Sequence, residues 1–350
     1  MKMMNHIDIN REIKESLKNW KDIVRNYQVP SSKKAILQMV NTFLPYLALW
    51  VLMYLSMDWS LWITAALGIL NAFFLVRIFI IQHDCGHQSF LRSKKWNNAI
   101  GYICSFFSFI PYKYWAKVHN FHHGHSGQIE VWDIGDIPTL TVKQYKSKKW
   151  YGKLAYRVWR NPVVTFVIAP IYYLVISNRV PLINIGNFKK MTWNQLKNNI
   201  AIAAVYVGLA FLLGWVKFLF VQFFIVFSFG IIAFWFFYVQ HQHEHAYNQW
   251  KDNWDYVVAA IRGSTYYKLP KVFQWLTGNI GIHHIHHLSS LIPNYNLEKC
   301  MRENAVLNKY VTVVSFWESL KFMTHKLWDE ERQRMISFRE YGRLKKMGMA

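Results

Sequence analysis

Residues 36–57 read ILQMVNTFLPYLALWVLMYLSM, a stretch without a single charge. About 20 mostly apolar residues in a helix cross roughly 30 Å of hydrocarbon, so this run is long enough to span a bilayer. A short turn follows, and residues 61–82 form a second run whose one charge is Arg77. Further along, 200–213 and 218–239 are two more apolar stretches, separated by Gly214, Trp215 and Lys217. Two shorter ones, 99–112 and 163–177, have the length of an interfacial or re-entrant segment. The expected fold is all-α, a polytopic membrane protein with about four transmembrane helices.

Composition supports this reading. Of the 350 residues, 53% are hydrophobic and 17% charged, whereas soluble domains carry about 25% charge. That hydrophobicity excludes intrinsic disorder. Three cysteines cannot form a disulfide framework. The net charge of +22 would suit a nucleic-acid binder, but the apolar runs decide against one.

Lys and Arg counts set the expected orientation. Residues 1–35 hold eight, 143–160 hold seven and 299–350 hold eleven, while the 58–60 turn holds none. Both termini and the central loop are therefore expected in the cytoplasm, against anionic headgroups. The N-terminus lacks the apolar core of a signal peptide. Residues 1–35 read as a cytoplasmic amphipathic segment, 36–300 as the membrane domain and 301–350 as a cytoplasmic helical tail. Arg77, five residues from the inner end of its span, is expected to snorkel to the interface.

Thirteen of the fifteen histidines fall in four windows: HDCGH at 83–87, HNFHHGH at 119–125, HQHEH at 241–245 and HHIHH at 283–287. Their spacing is helical. His83 and His87 stand at i,i+4; His119, His122 and His123 at i, i+3 and i+4; His283, His286 and His287 repeat that pattern. His284 points elsewhere. One such pair means little, but three sets sharing one geometry indicate a metal site. Each set borders an apolar run, so a shared site requires them all on one side of the membrane. By parity, 99–112 dips in without crossing, 163–177 is interfacial, and 200–213 and 218–239 cross. The result is four spans under a cytoplasmic, histidine-rich helical cap.

Eight histidines exceed the needs of one ion and suit two. Imidazole serves Zn, Cu, Fe and Ni. Structural zinc usually recruits cysteine and has no redox chemistry, so a site that handles O2 points to iron.

HDCGH, HNFHH and HHIHH resemble the three histidine boxes of the membrane fatty acid desaturases, and spans and boxes agree in order from about 36 to 300. Within that family the likeness is greatest to the short acyl-lipid desaturases of Gram-positive bacilli, including NTFLPY near 41 and YKLPKVFQWLTGNIG at 267–281. The resemblance implies a di-iron enzyme of the cell membrane that uses O2 to place a cis double bond in a phospholipid acyl chain, at Δ5 first or Δ10 second. Electrons would come from a small carrier, ferredoxin or flavodoxin, docking on the cytoplasmic side. It carries over His83, His87, His119, His122, His123, His283, His286 and His287 as iron ligands. A ninth ligand is expected at the end of the last span, where His241 fits best, then His245, then His243.

Asp84, His245 and Asn279 are candidates to orient ligand imidazoles, as are Asp133, Asp136 and Glu244. His125 and His284 read as bystanders or supports, and Trp115 and Tyr112 as walls of an acyl pocket. Histidine-box relatives that hydroxylate alkanes or ketolate carotenoids are the alternative reading. A metal transporter is the remote one, since transport would put ionisable groups inside the spans. No fused heme or ferredoxin-like segment and no dinucleotide fingerprint is evident.

Overall fold

The computed structural model describes residues 6–180, 182 and 188–349. Among them, four helices are long and apolar enough to cross a membrane: Ser32–Ser56, Leu61–Gly86, Lys190–Leu213 and Trp215–His241. The first two are capped by Ser31 and Ser60, whose side chains accept from the Lys34 and Ile63 amides and so satisfy orphan donors at each helix start. Pro45 lies inside the first span, a position tolerated where neighbouring helices cover the freed carbonyl. The second span sits centrally, against the first, the fourth and the helix Lys94–Ser108. Gly68 makes that crossing possible: a Cβ there would lie 2.4 Å from the Phe224 ring and 2.8 Å from the Met53 methyl.

The remaining apolar runs behave differently. Lys94–Ser108 ends at Phe109, whose φ of 60° turns the chain, and Pro111 opens the next helix, Tyr112–His125. Residues 99–112 therefore do not form one long apolar helix. The stretch at 163–177 becomes Val164–Ser177, bent by 59° from the helix Trp150–Trp159. The apolar run at 200–213 is only the later part of a helix that starts at Phe188. Its opening turns, KKMTWNQLKNN, are too polar for a hydropathy reading to include.

Arg77 does not snorkel. It is 5% exposed, its Nε donates to Thr42 Oγ1 at 2.9 Å, and its guanidinium lies 4.0 Å from the Trp275 ring centre while donating to the Trp275 carbonyl. The helix Lys271–Leu276, which carries Trp275, packs against the second span. Phe273 meets Phe73 and Trp275 meets Phe74. A hydrogen-bonded, stacked guanidinium under that segment replaces the expected route to the interface.

Outside the spans, the N-terminal helices His6–Ser16 and Trp20–Arg25, with the turn between them, bury Ile13, Leu17 and Val24 in a small core with Val258, Ile285, Leu288 and Leu297. Ile285 and Leu288 belong to the helix His283–Leu288, so the N-terminal segment backs the third histidine box. Residues 301–350 are not the helical tail expected. Thr312–Val314 pairs parallel with Thr265–Tyr267, and Leu327–Asp329 pairs parallel with Leu140–Thr141 and antiparallel with Arg334–Ile336. Their β-branched and aromatic residues fit a pleated, half-buried surface. The partner strands come from far back in the chain.

Candidate metal centre

Four segments deliver the histidines. His83 and His87 stand one turn apart at the C-terminal end of the second span, and His241 is the last residue of the fourth. His119, His122 and His123 lie on Tyr112–His125; His283, His286 and His287 lie on the six-residue helix His283–Leu288. The rings assemble into two neighbouring clusters. In the first, His83, His87, His119, His123 and His286 each present a nitrogen within 4.8 Å of all the others. In the second, His122, His241 and His287 do the same. His283 joins this second group, with its Nε2 3.0 Å from that of His241 and 3.1 Å from that of His287. The His123 and His287 rings stack at 4.2 Å and connect the two clusters.

The donor set fits metal ions. Nε2 of His83 and of His87, and both nitrogens of His286, are buried without a hydrogen-bond partner. Leaving such groups unpaired is costly, and imidazole nitrogens converging at this spacing are what borderline transition metals coordinate. Nine imidazoles and no carboxylate divide as five and four.

Outer contacts fix the rings. With Nδ1 of His83 donating, Asp84 Oδ1 accepts at 2.9 Å, while Asp84 Oδ2 accepts from the Asn294 amide at 2.7 Å and from its Nδ2 at 2.8 Å. Gln38 Nε2, on the first span, donates to Asn294 Oδ1 at 3.1 Å. His87 Nδ1 lies 2.7 Å from Asn120 Oδ1. Such contacts select the tautomer that turns Nε2 inward. Asp136 approaches His122 Nδ1 at 3.7 Å, and burial pushes its carboxyl up to about 7. Asn120 and Asn294 are absent from the expected set. Asn120 lies inside the second box window, but nothing local marks it; its partner is on another helix.

Other expected residues stand apart from the clusters. His245 is exposed, and Glu244 pairs with Arg334 at 3.0 Å. Asn279, with φ of 57°, serves a turn: its amide donates to the Gln274 carbonyl and its carbonyl accepts from the Ile282 amide. Asp133 is exposed. His125 Nδ1 donates to the Phe121 carbonyl, and His284 Nε2 lies 3.2 Å from Asn308 Oδ1. His243 is buried with neither ring nitrogen bonded. Trp115 stacks on His119 at 4.6 Å. Tyr112 instead braces the fold, its hydroxyl donating to the Cys85 carbonyl at 2.7 Å.

Burial holds His87, His119, His122, His123, His283, His286 and His287 well below the usual 6.5, with neighbouring imidazoles adding to the effect. The rings are therefore neutral at pH 7, the form that binds metal. Below about pH 6.5 the unfolded chain takes up protons that the folded chain refuses, so stability is present above that pH and lost as pH falls. Each ring contributes a slope of about 1.4 kcal/mol per pH unit across the window down to its folded value. Metal-free protein in detergent is expected to melt progressively lower from pH 7 to pH 5. A flat melting temperature over that range would contradict buried neutral rings.

Residues 59–317 match the family model for fatty acid desaturases, and all nine clustered histidines fall within that range. A fatty acid desaturase of Bacillus subtilis (strain 168) is 43% identical over 316 residues, covering 90% of this chain and 89% of that protein. The chain belongs to the fatty acid desaturase family. This desaturase is thus an oxidoreductase held in the membrane by its four apolar helices. More distant relatives include the sn-1 oleoyl-lipid 12-desaturase of Picosynechococcus sp. (strain ATCC 27264 / PCC 7002 / PR-6), 27% identical over 76% of this chain and 77% of that protein. An sn-1 acyl-lipid omega-3 desaturase (ferredoxin) of Synechocystis sp. (strain ATCC 27184 / PCC 6803 / Kazusa) is 30% identical over 63% of this chain and 62% of that protein.

Proposed function

We propose that this desaturase acts on phospholipid acyl chains and that its two histidine clusters hold iron. His83, His87, His119, His123 and His286 would bind one ion and His122, His241, His283 and His287 the other. Bound there, the iron pair would supply the O2 activation and electron acceptance needed to take two hydrogens from an unactivated chain. The observation that carries this reading is the pairing of two all-histidine clusters, five and four, at the ends of apolar spans.

The protein's own part is positioning and exclusion of water. Methylenes offer no polar handle, so selection among them rests on distance and shape. Trp115 covers His119, Phe79 meets Trp115 edge-on at 5.0 Å, and the Phe237 ring lies 5.0 Å from His241 and 5.4 Å from His122. These aromatics keep the clusters dry on their apolar side. Asp84 and Asn120 hold Nδ1 protons in place, which fixes the inward lone pairs.

Δ5 is our first assignment for the double bond and Δ10 the second. Electrons would come from ferredoxin or flavodoxin, and the basic loops favour docking of an acidic carrier. The concentration of Lys and Arg at 1–35, 143–160 and 299–350 supports a plasma-membrane enzyme with its centre on the cytoplasmic side. The deciding experiment is the fatty-acid profile of a desaturase-free bacterial host that expresses this chain, with double bonds located by mass spectrometry. A new monounsaturated acid is expected, and its position settles the regiochemistry. A hydroxylated or keto product instead would overturn the proposal.

A further inference from the structure

Beyond His241 the chain enters a second histidine-rich site that the metal clusters do not use. A cleft of about 450 Å³ is lined by His243, Glu244, His245, Thr312, Lys321, Phe322, Thr324 and His325. Its floor is unusual. His243 is 0% exposed, and although the Arg262 backbone approaches its ring, neither nitrogen makes a well-formed hydrogen bond; Nδ1 of His325, whose ring the Gln242 backbone approaches, is likewise buried without one. An imidazole in either tautomer carries an N–H donor, and the Thr312 hydroxyl and the Lys321 ammonium add more, as does the Thr324 hydroxyl when it turns from the Lys321 carbonyl to which it donates at 2.8 Å. The one carboxylate, Glu244, is engaged by Arg334 at 3.0 Å. Lys326, adjoining His325, is buried with its nitrogen unbonded, and burial lowers its pKa to about 7, so it stands behind the cleft as a further basic group and offers no ligand oxygen to a cation.

The position of the cleft identifies the anion. Tyr238, one turn before the end of the fourth span, donates to the Phe322 and His325 carbonyls at 3.0 Å each, which ties the cleft wall to the level where the span ends. Next to it, Trp317 is 75% exposed, with Phe316 and Val313 also exposed. Exposed aromatics at the end of a span mark the headgroup layer of a bilayer, and basic pockets at that level recognise lipid phosphates. We propose that this cleft binds the phosphodiester headgroup of a phospholipid, with His243, His325, Thr312, Thr324 and Lys321 as donors. This rests on the acyl-lipid reading above and deepens it. The cleft floor is two residues from His241, at most about 7 Å along the backbone, so a headgroup held here presents the ester end of its acyl chain to the metal centre.

Native mass spectrometry of the full-length protein in detergent tests the assignment with three probes: phosphatidylglycerol, a diacylglycerol with the same chains, and inorganic phosphate. Phosphatidylglycerol is expected to bind about tenfold more tightly than the diacylglycerol. The surface double substitution Lys321→Ala with Thr324→Ala is expected to erase that preference while metal content per chain stays the same. Equal binding of the two lipids, or a preference that the double variant retains, would overturn the proposal. Displacement of phosphatidylglycerol by an equal concentration of inorganic phosphate would do so too, marking a free-phosphate site. Without new double bonds in the host lipids the acyl-lipid reading falls and this binding result stands. Equal binding of the two lipids by the unsubstituted protein, with desaturation intact, removes only the cleft assignment.

Discussion

Replacing His119 with alanine is expected to eliminate the new monounsaturated acid from the host lipids. His119 is one of five rings in the first cluster, and its Nε2 lies 3.1 Å from that of His123. Alanine leaves that cluster with four nitrogens and uncovers the face on which Trp115 stacks. Changes that merely disturb a ligand's support lower metal affinity or activity by about 10–100-fold, so loss of the ligand itself is expected to exceed roughly 100-fold. His125→Ala is the matched control. That ring is on the same helix but bonds to the Phe121 carbonyl and contributes to neither cluster. Product at near-normal levels in His125→Ala, with none in His119→Ala at equal membrane abundance, is the expected pair of results. Undiminished product in His119→Ala would remove it from the ligand set.

Asp84→Ala is expected to cost both metal and stability. The carboxylate accepts from His83 Nδ1, from the Asn294 amide and from Asn294 Nδ2, all buried. Alanine strands three donors, each at about 1–3 kcal/mol, and frees the His83 ring to rotate. Metal retained after dialysis should fall, in line with an affinity about 10–100-fold weaker, and the melting temperature should drop. Asp84→Asn keeps the volume but turns an amide toward donors, so an intermediate effect is expected. Full metal retention in Asp84→Ala would show that His83 is held by other means.

What could be read from the sequence was what is local. The charge-free run at 36–57 identified a span, and i, i+3, i+4 spacing identified which imidazoles share a face. Both are periodic features of a single helix. Asn120 and Asn294 were not legible because their partners are 33 and 210 residues away, and an asparagine in a loop or helix carries no mark of that. Arg77 shows a local rule overruled: nearness to a span end argues for snorkelling, but Trp275, 198 residues later, supplies an acceptor and a ring. The strands in 301–350 escaped for the same reason, since parallel pairing with Leu140–Thr141 and Thr265–Tyr267 exists only once the fold has closed.

Asp84 and Asn294 also bear on biogenesis. HDCGH is synthesised early, whereas Asn294 and the third box emerge about two hundred residues later. Neither cluster can form until that last segment docks, because each draws on both early and late histidines. A metal taken up at that moment, as proposed above, would join the two ends of a long loop, and its binding free energy would become part of the folding free energy. In a growing cell, the supply of metal would then govern how many copies survive quality control as well as how fast each one turns over.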